Sequence, residues 1–385
     1  MKIALNLVAA AIASSVLPAA AQDTIKIGMN GALSGPAAVL GKDALAGLEM
    51  AVDEINAAGG IKGKKIELIS KDDEAKPPVA LKWVQQMVHS DKIVAYFPST
   101  NSTPNLTSLQ VTVPAGVPHI IAGTTSDVVC PPTGGGKPCD PNVVRLSILN
   151  SWQAAAIAKF AKEKLGAKSV AIMYDSTEYG HDGELLLEAE LKKAGIPVVY
   201  KGTFDLSEKA FKPHLTKVKS AGADVILTWT LDFVVAKIAI EKKELGMNDV
   251  KIVGGSAITG MALRALGGDA VEGIYMADGM PAAVTSKDPE VIKLLERYRA
   301  KTKADPKVGI PYWTTTYYDA MKLLASSIDK VGTDRAALSK ALSSAGSWKG
   351  TGVNYTLSPD KRNGRDGSSA VHIVQVKGGQ LVDAQ

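Results

Sequence analysis

The chain has 385 residues, with 44 Lys and Arg against 39 Asp and Glu and a formal net charge of +5. That length exceeds what a single hydrophobic core supports, so two domains are expected. Charges of both signs are interspersed, and no basic stripe with interleaved aromatics points to nucleic acid as a partner.

At the N-terminus, Lys2 precedes an apolar run from Ile3 to Leu17 and then Pro18-Ala19-Ala20-Ala21. The pattern predicts a secretory signal peptide over residues 1–21 with an A-x-A site, cleavage near Ala21/Gln22 and a periplasmic product. No later stretch approaches the roughly 18 consecutive apolar residues of a membrane span, so a soluble product is expected.

Short apolar strands then alternate with amphipathic helices. The strand "TIKIGM" leads into "LAGLEMAVDEINAAGG", where Leu45, Leu48, Val52 and Ile55 recur at helical spacing and Gly59-Gly60 stops the helix. Next come the strand "KIELISKDD", a helix from about Pro78 to His89, and the strand "IVAYF". The stretch "YFPSTNSTPNL" reads as a strand end, a polar turn and a helix starting at Pro104, with Ser102 and Thr103 as capping hydroxyls. Such a helix start presents free N–H groups and positive dipole, which suit a carboxylate. With "HIIAG" the βαβα series implies a parallel sheet covered by helices.

Cys130 and Cys139 bracket the turn-rich "PPTGGGKP", and in an exported chain they point to a disulfide. Two thiols with no nearby histidine do not complete a metal site. Beyond them the alternation restarts with the helix "SWQAAAIAKFAKEKLG" and the strand "SVAIMYD", and runs on to "GIYMAD". Helices follow from about Asp288 to Lys303 and from Tyr312 to Lys330, and the chain closes on a hairpin turning at Gly378-Gly379. Two α/β units in series make a two-lobed protein. Ligands in open α/β sheets bind beyond the carboxyl ends of the strands, so the turns "NGALSGP", "PSTNSTP", "AGTTSD", "DSTEYG", "TWTLDF" and "GGSAITG" are the places to look.

Catalytic apparatus is sparse. "GPAAVLGKD" has five residues between its glycines and Asp43 where a P-loop carries a hydroxyl, and "NGALSGP" lacks the dinucleotide fingerprint. There is no G-x-S-x-G elbow. The five histidines, at 89, 119, 181, 214 and 372, include no pair spaced as metal ligands on one helix. No metal, no cofactor and no enzymatic activity are expected.

The ordered set "IKIGMNGALSGPAAVLG", "GLEMAVDEINAAGGIKGKKIELISKDDEAKP", "YFPSTNS", "SVAIMYDSTEYG" and "YWTTTYYDAMKLL" resembles the periplasmic solute-binding proteins of branched-chain amino acid ABC transporters, the leucine/isoleucine/valine-binding type, over essentially the whole mature chain. The resemblance implies an α/β protein of the type I periplasmic binding fold, with two Rossmann-like lobes, parallel sheets and three hinge crossings. Lobe 1 is placed at residues 22–147 with 278–355, and lobe 2 at 148–277 with 356–385. A monomer that delivers a small solute to a membrane permease is implied. Carried over by position, contacts to a ligand carboxylate and its α-carbon fall on Ser99, Gly123 and Thr125, and an aromatic contact from the far lobe on Tyr179.

Two departures bear on the solute. Leucine-type members place an acid after the strand matching "KIVGG" to pair the ligand ammonium, and this chain has Ser256. A tyrosine after "DVILTWT" is missing, with Leu231 or, after a small shift, Trp229 or Asp232 in its place, and a wall position near "LSGP" is Leu40. The carboxylate half of an amino-acid site is therefore expected, while the ammonium half is either absent or supplied by Asp232. The expected solute is a branched-chain or other amino acid, or an aromatic or aliphatic carboxylic acid. A sensory protein presenting its closed form to a membrane receptor is the alternative, and an exported enzyme is disfavoured.

Overall fold

The computed structural model describes residues 24–131, 139–281, 283–304 and 309–384. The expected signal peptide and its cleavage site lie outside them.

The chain first builds β1 (Ile25–Gly31), α1 (Ala38–Ala57), β2 (Ile66–Asp72), α2 (Pro77–Gln86), β3 (Ala95–Phe97), α3 (Ser102–Thr112), β4 (His119–Ile121) and β5 (Val143–Arg145). Its five strands form one sheet in the order β2-β1-β3-β4-β5, and every pairing is parallel. β1 buries Ile27 and Met29 on one face and Gly28 and Asn30 on the other, as a strand covered on both faces must. In α1 the expected stripe holds: Leu48 and Val52 are buried, and Leu45 and Ile55 pack against the same core as Phe97, Ile120 and Leu324.

α3 begins at Ser102, two residues before the expected start at Pro104, with Asn101 as an extended N-cap at φ −84° and ψ 132°. Pro104 is tolerated inside the first turn because those N–H groups have no intrahelical partner in any case. Ser102 and Thr103 are therefore helical residues rather than caps.

The chain then enters a second body with α4 (Asn150–Glu163), β6 (Val170–Asp175), α5 (Glu178–Ala194), β7 (Val198–Phe204), α6 (Lys212–Ala221), β8 (Val225–Trp229), α7 (Asp232–Glu244), β9 (Lys251–Gly254), α8 (Met261–Gly267) and β10 (Tyr275–Asp278). It returns to the first body through α9 (Pro289–Thr302), α10 (Tyr312–Val331), α11 (Arg335–Ser343) and the antiparallel pair β11 (Gly346–Lys349) and β12 (Asn354–Leu357). Finally β13 (His372–Lys377) and β14 (Gln380–Asp383) complete a seven-stranded sheet in the order β14-β13-β10-β9-β8-β6-β7. β13 runs antiparallel to β10 and to β14, and the other pairings are parallel.

The chain thus crosses three times between two α/β lobes: after β5, after β10, and after β12. Position 355/356, the division expected for the last crossing, falls inside β12, and the Arg145–Asn363 bridge still ties the chain to β5 beyond it. Cys130 and Cys139 are disulfide-bonded with Cα atoms 4.8 Å apart. Cys130 is buried with Ile121, Val129 and Val143 at the β4–β5 side of the first sheet.

Candidate ligand-binding cleft

The carboxyl ends of the parallel strands of both sheets face one cleft. From the first lobe it is lined by Thr100, Asn101, Ser102, Thr103 and Pro104 after β3, by Gly123 and Thr125 after β4, and by Leu40, Ala75 and Trp313. The second lobe supplies Thr177 and Tyr179 after β6, Leu206 after β7, Leu231 after β8 and Ala257 after β9. Each is a strand-to-helix turn, where a parallel sheet leaves room for a ligand.

The β3–α3 turn is held from behind by buried hydrogen bonds. The Thr124 hydroxyl donates to Ser99 O at 2.9 Å and accepts from Asn105 Nδ2 at 2.8 Å. Asn105 Oδ1 lies 2.9 Å from His119 Nε2, and His119 Nδ1 lies 2.8 Å from Thr112 Oγ1. Burial lowers the His119 pKa to about 3. The ring is therefore neutral, with Nε2–H donating to Asn105 and Nδ1 accepting from Thr112. Tyr317 Oη donates to Pro98 O at 3.0 Å. A side chain at Gly123 would place its Cβ 2.9 Å from both Thr100 Cγ2 and Tyr317 Oη, so only glycine lets these two turns approach.

Two helix starts converge here. α3 begins at Asn101–Ser102, and α5 begins at Thr177, whose hydroxyl accepts from the Gly180 N–H at 3.5 Å. Across the cleft the Glu178 N–H donates to Thr103 Oγ1 at 3.4 Å, so the two lobes touch at this point. Both helices direct positive dipole toward the same space, with the Glu178 and Gly180 N–H groups of α5 already engaged by Thr103 and Thr177.

No lining side chain carries a formal charge. Burial holds the Tyr179 phenol protonated far above neutrality, with Asp175 adding in the same direction. The carboxylates around the cleft are turned to other work. Burial pushes Asp73 up to about 6 against hydrogen bonds from Ser99 and the Ala75 N–H. Desolvation likewise raises Asp43 to about 7 and Asp232 to about 6.

Of the residues singled out in the sequence, Gly123, Thr125 and Tyr179 meet in the wall, as do Leu40 and Leu231. Ser99 is fully buried behind it and accepts from the Asn101 N–H at 3.4 Å, so it shapes the turn that Thr100 to Thr103 present. Trp229 is fully buried behind Tyr179, with ring centroids 6.0 Å apart, and does not line the cleft. Asp232 accepts from the Phe233 N–H at 2.8 Å and the Ala262 N–H at 3.1 Å, which engages it at the start of α8. The Ser256 N–H donates to Gln153 Oε1 at 2.7 Å, and its hydroxyl faces Tyr312 between the lobes. Its neighbour Ala257 reaches the wall instead.

A family model described as periplasmic binding protein matches residues 24–380. The chain belongs to the periplasmic binding protein family. This periplasmic binding protein is 29% identical to Leu/Ile/Val-binding protein homolog 7 of Brucella abortus, over 97% of this chain and 94% of that one. Its fold matches the branched-chain amino acid transporter substrate-binding protein of Streptococcus pneumoniae, solved in complex with isoleucine, with a TM-score of 0.82 and 25% identity over 94% of this chain and 100% of that one. A solute-binding protein of an ABC transporter from R. palustris, in complex with 4-hydroxybenzoate, shares the fold with a TM-score of 0.81 and 21% identity over 94% and 96% of the two chains. The protein is thus of the branched-chain amino acid type, a class of periplasmic solute-binding proteins that are not enzymes.

Sequence reasoning took Thr103 for a cap and missed Trp313, Thr177, Leu206 and Ala257 in the wall of this binding protein. Trp313 had a signal, an aromatic directly after a proline-marked helix start in "PYWTTTYY". Leu206 had none, because it stands in an irregular segment between β7 and α6.

Proposed function

We propose that the protein captures a small carboxylate-bearing solute between its lobes and delivers it to the membrane permease of an ABC importer. The observation that carries this reading is the convergence of the α3 and α5 starts with Thr125, Thr103, Ser102 and Thr177 on one uncharged cleft. Such a cleft stabilises a carboxylate by charge-assisted hydrogen bonds from N–H and hydroxyl donors. The apolar body then packs against Leu40, Leu206, Leu231, Tyr179 and Trp313. The first lobe binds first, and the second closes on the solute by rotation about the three crossings. Closure is driven by contacts that the solute makes only when both walls reach it. The relatives above were found with an amino acid and with an aromatic acid, and both classes fit the same carboxylate anchor.

The test is a thermal-shift screen of the mature protein with amino acids, aliphatic acids and aromatic acids. A solute at 100 times its Kd stabilises the folded state by about 2.7 kcal/mol, a shift of several degrees. Absence of any shift across the carboxylates, with a shift for uncharged sugars or polyamines, overturns the reading.

A further inference from the structure

An α-amino acid needs acceptors for its ammonium next to the site of its carboxylate. Among the described residues five carboxylates near that site are engaged elsewhere, and Glu178 and Glu74, which neighbour lining residues in sequence, do not themselves line it. Asp73 accepts from the Ala75 N–H at 2.9 Å, behind Ser99. Asp182 accepts from the Asp127 N–H at 2.9 Å and from Asn150 Nδ2 at 2.8 Å. Asp175 accepts from the Thr177 N–H at 3.0 Å and from the Thr177 hydroxyl. Asp43 accepts from Tyr298 Oη at 2.7 Å. Asp232, the one substitute that the sequence offers for a missing acid, is committed to the N–H groups of Phe233 and Ala262. None of the five lines the cleft.

The field in the cleft has one sign. The starts of α3 and α5 both bring positive dipole to it, and no formal negative charge stands opposite. Helix starts favour anions and disfavour cations. Burying an ammonium without a charged partner is costly, whereas a lone carboxylate meets donors from two helices. The remaining wall is made of leucine, alanine, proline and aromatic side chains, where the Tyr179 hydroxyl is a neutral acceptor and no charged one is present.

We propose that the solute is a carboxylic acid without an ammonium group, a 2-oxo or simple monocarboxylic acid with an apolar or aromatic body, and that the matching amino acids are discriminated against. This rests on the reading of the cleft as a carboxylate site. The net charge of the solute is −1, and the absence of an acid in the wall is what sets the specificity.

Calorimetric titration of the mature protein with matched pairs decides it: 4-methyl-2-oxopentanoate against leucine, phenylpyruvate against phenylalanine, and 3-phenylpropionate as the acid lacking the oxo group. The expected result is at least tenfold tighter binding of the acids than of the amino acids on the same skeleton. Asp232→Asn leaves that ratio within twofold, because Asp232 does not reach the solute. Amino acids binding as tightly as the acids or tighter, or an amino-acid preference that disappears in Asp232→Asn, overturns the inference while leaving the carboxylate site standing. If neither acids nor amino acids bind and an uncharged solute does, the carboxylate site itself falls, and the inference with it.

Discussion

The two walls of the cleft are built by different means. On the α3 side the groups offered to a solute are largely backbone N–H and short hydroxyls, fixed from behind by a buried chain running from Thr112 through His119, Asn105 and Thr124 to the Ser99 carbonyl. On the α5 side the helix start and Thr177 are joined by side chains, Tyr179, Leu206, Leu231 and Ala257, each on a separate turn and held by packing. Breaking a buried hydrogen-bond chain strands unpaired polar groups, so the first wall tolerates little change. A packed apolar wall accepts volume-conserving exchange at small cost, so the second is where specificity for the body of the solute can vary.

The largest effect is expected where the second wall has no slack. A Cβ added at Gly183 in α5 would lie 2.2 Å from the Trp229 ring, which backs Tyr179. Overpacking of this kind usually costs about 1–3 kcal/mol, and the tryptophan is enclosed on all sides, so Gly183→Val is expected to lose about 3 kcal/mol in chemical denaturation. Solute affinity should fall with it. Unchanged stability would show that the second wall is looser than its packing implies.

Comparable in size is the first wall. Ser102→Ala combined with Thr125→Ala should weaken binding by about 2–4 kcal/mol, at 1–2 for each charge-assisted hydrogen bond, with little effect on folding. Titration calorimetry alongside thermal unfolding measures both. Equal affinity in the double variant would mean that backbone N–H groups alone hold the carboxylate.

The same division explains what the sequence could tell. The first wall was legible because a polar turn, a proline and a helix start lie within one contiguous stretch, and the turn-to-helix grammar is local. Its boundary was misplaced by two residues because proline is compatible with any position of the first helical turn. The second wall collects single residues from turns separated by whole βα units, so only Tyr179, inside a recognisable motif, stood out with its role. Trp229 and Asp232 were natural candidates by chemistry. Which side of the β8–α7 turn faces solute is a matter of tertiary packing, and packing turns Leu231 in and the other two away. The two sheets followed from the alternation of short apolar runs with helices. The short strands β5, β11 and β12 gave no signal of their own, being three or four residues long and defined by their partners.

A third, intermediate effect concerns pH. Burial, the largest cause in each, raises Asp43 and Asp278 to about 7 and Asp232 to about 6. A folded-state value above the unfolded 3.8 means that the folded protein holds these protons more tightly. Their contribution is complete below about pH 4 and is lost as pH rises through 6 to 7. Glu54 behaves oppositely: despite partial burial, hydrogen bonds from Lys322, Tyr318 and Arg297 hold it at about 2, so its contribution is lost as pH falls from about 4.5 toward 2. Stability should therefore peak at about pH 4 to 4.5 and decline by on the order of 2 kcal/mol as pH rises to about 7. Differential scanning calorimetry across that range checks it. Asp43→Asn should flatten the alkaline side, since Asp43 faces Asp232 and Arg264 across the lobes, and a profile unchanged in that variant would remove the lobe contact as its source.

The smallest effect is the most discriminating between the two walls. The Tyr179 hydroxyl is buried and finds no protein partner in good hydrogen-bonding geometry, although the Ala257 backbone faces it. Its ring makes the contact with Trp229 and forms the wall. If the second wall is purely apolar in function, Tyr179→Phe keeps the ring, removes a polar atom that gains little, and changes affinity by less than about 0.5 kcal/mol. Stability should stay level or rise by up to about 1 kcal/mol, because an under-satisfied buried hydroxyl is lost without stranding a partner. A loss of affinity above about 1.5 kcal/mol would instead be the signature of a hydrogen bond to a charged solute group. That outcome would add the Tyr179 phenol to the carboxylate anchor that the α3 and α5 starts already form, and the ring would then do more than pack against the solute.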